Sequence, residues 1–320
     1  MAIICFSPLS YVRIYDMAEY LLIINPNSSK GKGRAKAQTI RNLFLENGKS
    51  IDISYTQREG HAFELALEGA NSGYSAIIAC GGDGSVNEVV NGIMRSGKAV
   101  KMGIIPIGRG NDIAWNYGIK GRLEDSVSKI IKGDGRYVDV GIVKGGRYPD
   151  GRYFLNGNGY GFEPLVTFLA MDFKKVNGII SYVLAFIRIM LSPPKPYEIV
   201  IKTEREERKV STQQISISIG RRMGSTFILA PDAVVDDGYF DLMYTIHPFT
   251  RFSLILAVLR FLRGTHLKDK KDFEGYRTRS VRLSCPLGGV YSHVDGEIVS
   301  YGDGFDFDID IIEKGIYIFS

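Results

Sequence analysis

The segment Gly81-Gly82-Asp83-Gly84-Ser85 follows the apolar run Tyr74–Cys80 directly and leads into a helix-patterned stretch. A glycine-rich turn from strand to helix offers backbone N–H groups and a helix N-terminus to a phosphate. Asp83 is the informative departure. A carboxylate there repels a bare phosphate, and it makes sense when a cation, most simply Mg²⁺, lies between acid and phosphate. The plain alternative is a tight turn in which Asp83 caps the helix. A second glycine loop, Gly108-Arg109-Gly110-Asn111-Asp112, follows the apolar run Met102–Ile107. Its Asn111-Asp112 pair also suits the cap of a short helix through Trp115. Asp236-Asp237-Gly238 and Asp295-Gly296-Glu297, taken alone, read as hairpin turns.

Two nucleotide signatures nearly match and are rejected. Gly92–Ala99 has Walker A spacing, but Ala99 stands where a hydroxyl must hold magnesium, and the segment ends a helix instead of opening one. The turn at Gly82 and Gly84 has the strand-to-helix context of a dinucleotide fingerprint, but Asn87 replaces its third glycine.

The elements that must carry these loops alternate strand and helix from residue 20 to about 132. Tyr20–Asn25, Ile51–Thr56, Tyr74–Cys80 and Met102–Ile107 read as strands. Val86, Val89, Val90, Ile93 and Met94 mark the clearest helical stripe. This predicts a parallel, doubly wound sheet with ligand loops at the carboxyl ends of its strands. Beyond about residue 135, short period-2 strands predict an antiparallel β-sandwich, interrupted by apolar helical stretches at Gly178–Leu191 and Phe249–Arg263. The expected division is an extension over 1–16, an α/β domain over 17–135 and a β-sandwich domain over 136–311, with 312–320 returning to the first domain.

The 320 residues, 45% hydrophobic and 23% charged, exclude a disordered chain, and the net charge of +5 is too mild to imply nucleic acid. Cys5, Cys80 and Cys285 are too scattered for a disulfide framework or a metal knuckle, which fits a reducing, cytoplasmic setting. Residues 1–16 lack the features of a signal peptide. His61, His247, His266 and His293 have no ligand-like spacing and read as structural.

An ordered set of motifs resembles the diacylglycerol kinase catalytic-domain family, which includes bacterial lipid kinases and sphingosine kinases. It comprises Asn25-Pro26-Asn27-Ser28-Ser29-Lys30-Gly31, Gly81–Ser85 with Asn87-Glu88, Pro106-Ile107-Gly108 with Asn111-Asp112, Asp236-Asp237-Gly238, and Val294-Asp295-Gly296-Glu297. The glycine loop alone is shared with NAD kinases and phosphofructokinases; the late elements are more specific. The resemblance implies an ATP-binding surface formed by Asn25, Pro26, Asn27, Ser28, Ser29, Thr56, Gly81, Gly82, Asp83, Gly84, Ser85, Val86, Asn87 and Arg109. It implies Glu297 as the general base toward a lipid hydroxyl, with Asp83 and Asp112 organising Mg²⁺ and the phosphates. It also implies a structural metal held by Asp237 and the carbonyls of Val234 and Tyr239. Ser85 and Arg109 stand where the family usually has threonine. Ser85 keeps the hydroxyl, and Arg109 offers a guanidinium to phosphate.

The resulting expectation is an ATP-dependent lipid kinase, most simply converting diacylglycerol to phosphatidic acid. The alternatives are a kinase for a sphingoid base or polyprenol, or a catalytically silent lipid- or nucleotide-binding protein. Expected partners are the lipid alcohol and a transient membrane surface, with a homodimer left open. Gly178–Leu191 is the favoured membrane-facing stretch. Phe249–Arg263 reads as a core helix, because Arg251 and Arg260 project to opposite sides.

Overall fold

Strands that are apolar along their whole length form the centre of the first sheet. The computed structural model describes residues 18–31, 33–172, 179–191, 194–268 and 271–320, so the expected extension over 1–16 lies outside the described residues. The first part alternates β1 (Tyr20–Ile24), α1 (Ser28–Gly31), α2 (Gly33–Glu46), β2 (Ile51–Tyr55), α3 (His61–Ser72), β3 (Ala76–Gly81), α4 (Asp83–Ser96), β4 (Lys101–Pro106), α5 (Asp112–Asn116) and α6 (Leu123–Lys132). β1 and β3 are buried at every residue, as parallel strands covered on both faces must be. β1 pairs in parallel with β2 and β3, and β3 with β4. The loops after Ile24, Tyr55, Gly81 and Pro106 therefore share one edge of the sheet. Helices α3 and α4 approach so closely that a Cβ on Gly92 would lie 2.5 Å from the Phe63 carbonyl oxygen.

The second part contains β5 (Gly135–Gly145), β6 (Tyr148–Phe154), β7 (Gly157–Gly161), α7 (Phe162–Asp172), α8 (Ile179–Leu191), β8 (Tyr197–Thr203), β9 (Glu207–Thr212), β10 (Gln214–Ser218), β11 (Arg222–Met223), β12 (Phe227–Ile228), β13 (Phe240–Thr245), α9 (Arg251–Arg263), β14 (Phe273–Thr278), β15 (Ser280–Ser284), β16 (Val290–Val294), β17 (Glu297–Gly304) and β18 (Asp306–Phe319). Six of these strands form an antiparallel sheet in the order β14-β13-β10-β7-β16-β17. β11 and β12 form a separate two-stranded hairpin, and the remaining strands extend the first sheet, which runs β2-β1-β3-β4-β18-β15-β8-β9 with β5 and β6 attached through β18. One end of β18 pairs in parallel with β4 at Ile318 and Met102, its other end pairs antiparallel with β15, and β5 runs antiparallel along it from Phe307 to Phe319. One hydrophobic core follows, joining Leu21, Ile77 and Val90 to Phe154, Leu242 and Ile309.

Three features depart from the sequence reading. Helix α7 was not anticipated, because Phe162–Asp172 is apolar on most sides and shows little of the periodicity that marks an amphipathic helix. Strand β7, Gly-Asn-Gly-Tyr-Gly, has poor strand propensity, yet it lies fully buried between β10 and β16. Helix α9 is not a core helix. It buries Leu254, Ala257 and Phe261 but exposes Phe252, Ile255, Leu256, Leu259 and Leu262. In α8, Phe186 packs against the apolar cluster beneath the helices, whereas Ile187 is exposed. Cys80 is buried, and burial pushes its thiol up to about 12, as for an inert core residue.

Candidate active site

The β3–α4 and β4–α5 loops meet backbone to backbone. Ile107 and Gly108 both donate their N–H to the Gly81 carbonyl, at 3.0 and 3.2 Å. A Cβ on Gly108 would lie 2.4 Å from the Gly82 Cα, so only glycine permits the approach. The Ser85 hydroxyl covers Gly81, and Ser28 Oγ from the first loop lies 3.8 Å from the same point. Asn25 donates its N–H to the Cys80 carbonyl, and its Oδ1 accepts from the Asn27 N–H. Thr56 donates its N–H to Ile24, which sets it beside this loop. The fold thus gathers Asn25–Ser28, Thr56, Gly81–Ser85 and the exposed Arg109 along one edge. Pro26 lies against the start of α2, where its carbonyl is 2.9 Å from the Cβ position of Gly33; the Ser29 side chain lies outside the described atoms.

Two of the expected nucleotide residues face elsewhere. Val86 belongs to the core stripe of α4, and its N–H closes the first helical turn onto Gly82. Asn87 is fully buried and bridges the two parts of the chain: its Nδ2 donates to Asp295 and to the Tyr153 carbonyl, and its Oδ1 accepts from Arg152 Nε at 2.8 Å.

Asp83 opens α4, and its Oδ1 accepts the Ile113 N–H at 2.9 Å. Its Oδ2 turns toward Gly110, where a Cβ would lie 3.1 Å from it and 3.7 Å from Asp112 Oδ2. The two carboxylates therefore converge beside the phosphate-binding turn. Burial raises the pKa of Asp112, with the like charge of Asp83 adding to it, while the Ser225 N–H and Arg222 oppose the rise. Arg222 Nε donates to Asp112 Oδ1 at 2.7 Å, and its guanidinium also stacks on Trp115. Arg222 and the Ser225 N–H already take both Asp112 oxygens, so the oxygen of this pair that suits a hard divalent cation such as Mg²⁺ is Asp83 Oδ2, which faces Gly110 with Asp112 beside it.

Glu297 arrives from the other side. Asp295 (φ 49) and Gly296 (φ 90) form a two-residue hairpin loop of the type that suits strand twist. The buried Asp295 carboxylate accepts the N–H groups of Leu155, Asn156 and Gly157 together with Asn87 Nδ2. That clamp sets the hairpin over α4, and Glu297 Oε1 lies 3.0 Å from where a Gly84 Cβ would stand. Burial raises the Glu297 pKa; Arg152 opposes this, while Glu59, Glu88 and Asp295 add to it. Beneath the same hairpin, His293 Nε2 meets Glu163 at 2.7 Å, and its Nδ1 faces the Gly296 N–H.

The Asp236–Gly238 turn is held differently. Asp139 accepts the Gly238 and Lys314 N–H groups. Asp237 Oδ1 accepts the Tyr239 N–H, and its Oδ2 contacts Arg277, which stacks on the Tyr239 ring; Val234 is exposed. Protein donors thus occupy both Asp237 oxygens, so a metal here would have to displace Arg277. Among the described residues, no three His, Cys, Asp or Glu side chains form a ready-made metal cage.

Sequence reading did not single out Arg152, Arg222, Asn116 or the clamping role of Asp295. Asn116 joins α5 to Asn156 and to the backbone of Arg221 and Arg222. The one available signal was the pair Asn87 and Asn91, polar residues one turn apart among the apolar positions of the α4 stripe.

A glycine-rich parallel-sheet edge, two convergent acids and a third acid delivered by a second β layer define a phosphoryl-transfer class of α/β protein. Residues 19–143 match the family described as diacylglycerol kinase catalytic domain, and residues 159–303 match the YegS C-terminal NAD kinase beta sandwich-like domain. The chain is 29% identical over 287 residues to a diacylglycerol kinase of Bacillus subtilis (strain 168), covering 87% of this chain and 92% of that protein. It is 28% identical over 301 residues to a YegS-like lipid kinase of Enterobacter sp. (strain 638), covering 93% and 94%. A crystal structure of a diacylglycerol kinase from Bacillus anthracis str. Sterne superposes with a TM-score of 0.71 at 18% identity, covering 94% of this chain and 96% of that one, and shares the fold. The chain belongs to the diacylglycerol kinase catalytic-domain family, in its bacterial two-domain form.

Proposed function

We propose that the protein is an ATP-dependent lipid kinase that transfers the γ-phosphate to the free hydroxyl of diacylglycerol, yielding phosphatidic acid and ADP. The observation that carries this reading is the position of Glu297, a half-buried carboxylate held over the N-terminus of α4 and facing the glycine turn that contains Asp83. The α4 N-terminus and the loop N–H groups orient the phosphates and draw charge from them. Glu297 accepts the hydroxyl proton as the lipid oxygen bonds to the γ-phosphorus and the bond to the ADP oxygen breaks. A divalent cation, when bound, neutralises phosphate charge; Asp83 Oδ2 is the oxygen placed to hold it, with Asp112, gripped by Arg222 and Ser225, beside it. Arg109, exposed at the loop tip, is available to a phosphate oxygen. The acceptor of such a kinase resides in a bilayer, so the reading includes a peripheral encounter with membrane. Among the described residues, no helix is long and apolar enough to cross one.

The test is incubation with labelled ATP and a panel of lipid alcohols, resolved by thin-layer chromatography. Label in phosphatidic acid supports the reading. Label confined to a sphingoid-base or polyprenyl phosphate moves the acceptor, and no labelled lipid at all removes the kinase assignment.

The charge around Glu297 gives a pH prediction. A base must be ionised, and burial raises the Glu297 pKa, so kcat falls as pH drops through that raised value. Arg152 opposes the rise. Arg152→Met is therefore expected to move the acid limb of the kcat–pH profile to higher pH. An unchanged limb would separate Arg152 from the ionisation of the base.

A further inference from the structure

Helix α9 carries two apolar faces, and only one is covered. Leu254, Ala257 and Phe261 pack with Met223, Leu229 and Phe249. On the opposite side, Phe252 is 71% exposed, and Ile255, Leu256, Leu259 and Leu262 are exposed beside it. At 3.6 residues per turn, these five fall within an arc of roughly 120°. The helix contains Arg251, Arg260 and Arg263 and no acidic residue. Arg251 and Arg260 fall on the two flanks of the arc, and Arg263 lies at its end. Their opposite placement therefore brackets the apolar face. Arg260 is tied to Asp272 at 2.7 Å, while Arg251, Arg263 and Lys268 are exposed.

We propose that this face of α9 is the surface by which the protein docks on an anionic lipid bilayer; the inference rests on the lipid-kinase reading, whose acceptor lies in that bilayer. An apolar face with Arg251 and Arg263 exposed at its edge, on a helix that itself carries no acid, matches the boundary between acyl chains and anionic headgroups. The covered face gives the docking a direct route to the site. Gly264, which ends α9, sits so close to Ile228 that a Cβ would lie 2.9 Å from Ile228 Cγ2. His266 Nε2 contacts the Leu229 carbonyl at 3.0 Å. The adjoining β11–β12 hairpin carries Arg222 and Ser225, the two residues that hold Asp112. The helix that meets the bilayer thus backs directly onto the hairpin that grips an active-site acid.

The test is co-sedimentation of the full chain with vesicles of phosphatidylglycerol mixed with phosphatidylcholine, and with phosphatidylcholine alone. The wild type is expected to bind the anionic vesicles preferentially. The double variant Leu256→Ser/Leu259→Ser should weaken that binding by about tenfold or more, since apolar burial drives it. Arg263→Glu should weaken binding to anionic vesicles only. Turnover on a short-chain diacylglycerol dispersed in detergent should stay within about twofold of wild type for these variants, which also reports that they fold. Wild-type protein that ignores vesicles, or a double variant that binds as well as wild type, overturns the proposal. So does a wild-type dimer in light scattering that the double variant abolishes, because a second copy would then cover the face. If no lipid alcohol is phosphorylated, the kinase reading fails on its own, and the vesicle measurement still reads the docking.

Discussion

Asp83→Asn yields a folded protein whose turnover falls by about 10²–10³ or more, the range seen when a preorganised charged or polar group is removed from a transition-state site. The fold should survive, because an asparagine Oδ1 can still accept the Ile113 N–H that now binds Asp83 Oδ1. What disappears is the negative charge on the oxygen facing Gly110 and Asp112. That charge matters only if a cation or developing proton occupies the gap, since otherwise two carboxylates at a phosphate turn repel their own ligand. The measurement is kcat at saturating ATP, with the thermal midpoint as a control for folding. Turnover close to wild type would reduce Asp83 to a helix-terminus residue.

Glu297→Gln is expected to lower kcat by roughly 10²–10⁴ while leaving the KM for ATP nearly unchanged. The amide fills the same space above Gly84 but cannot take a proton. The hairpin that carries it should hold its place, because its anchor is the Asp295 carboxylate and not the Glu297 side chain. Steady-state kinetics with ATP and lipid varied separately provide the check. Loss of ATP affinity with kcat preserved would make Glu297 a nucleotide residue and leave the base unassigned. Because burial raises its pKa, the wild-type acid limb should vanish in this variant, leaving a low rate that varies little over the same pH range.

Local pattern carried much of this protein. Buried parallel strands must be apolar throughout, so β1, β3 and β4 were readable as runs, and α4 as a stripe at helical spacing. The acid inside a glycine turn pointed to cation-assisted phosphate chemistry from residue type alone, because a carboxylate and a phosphate do not share a site without positive charge between them. The role of Glu297 was not legible from its own neighbourhood. Asp-Gly-Glu is an ordinary hairpin turn, and only resemblance to a family marked it.

Tertiary structure decided which polar groups meet. Asn87 and Asp295 are 208 positions apart, yet their bond sets Glu297 over α4. Asp112 is held by Arg222, 110 positions later, through a hairpin that itself rests on α9. No periodicity encodes such pairs, because each partner needs only to be polar and buried, and topology chooses among the donors available. The same holds for β18, whose alternating residues suit any half-buried sheet; its pairing with both β4 and β15 is what joins the two halves. Helix α9 is the clearest case. Its composition admits either a core or a surface helix, and the sheet it packs on covers only one side. The sequence determined the chemistry and the local elements through residue type and spacing. The tertiary structure determined the cleft, the clamp on its base and the face left open to a partner, because those depend on contacts between segments that share no local signal.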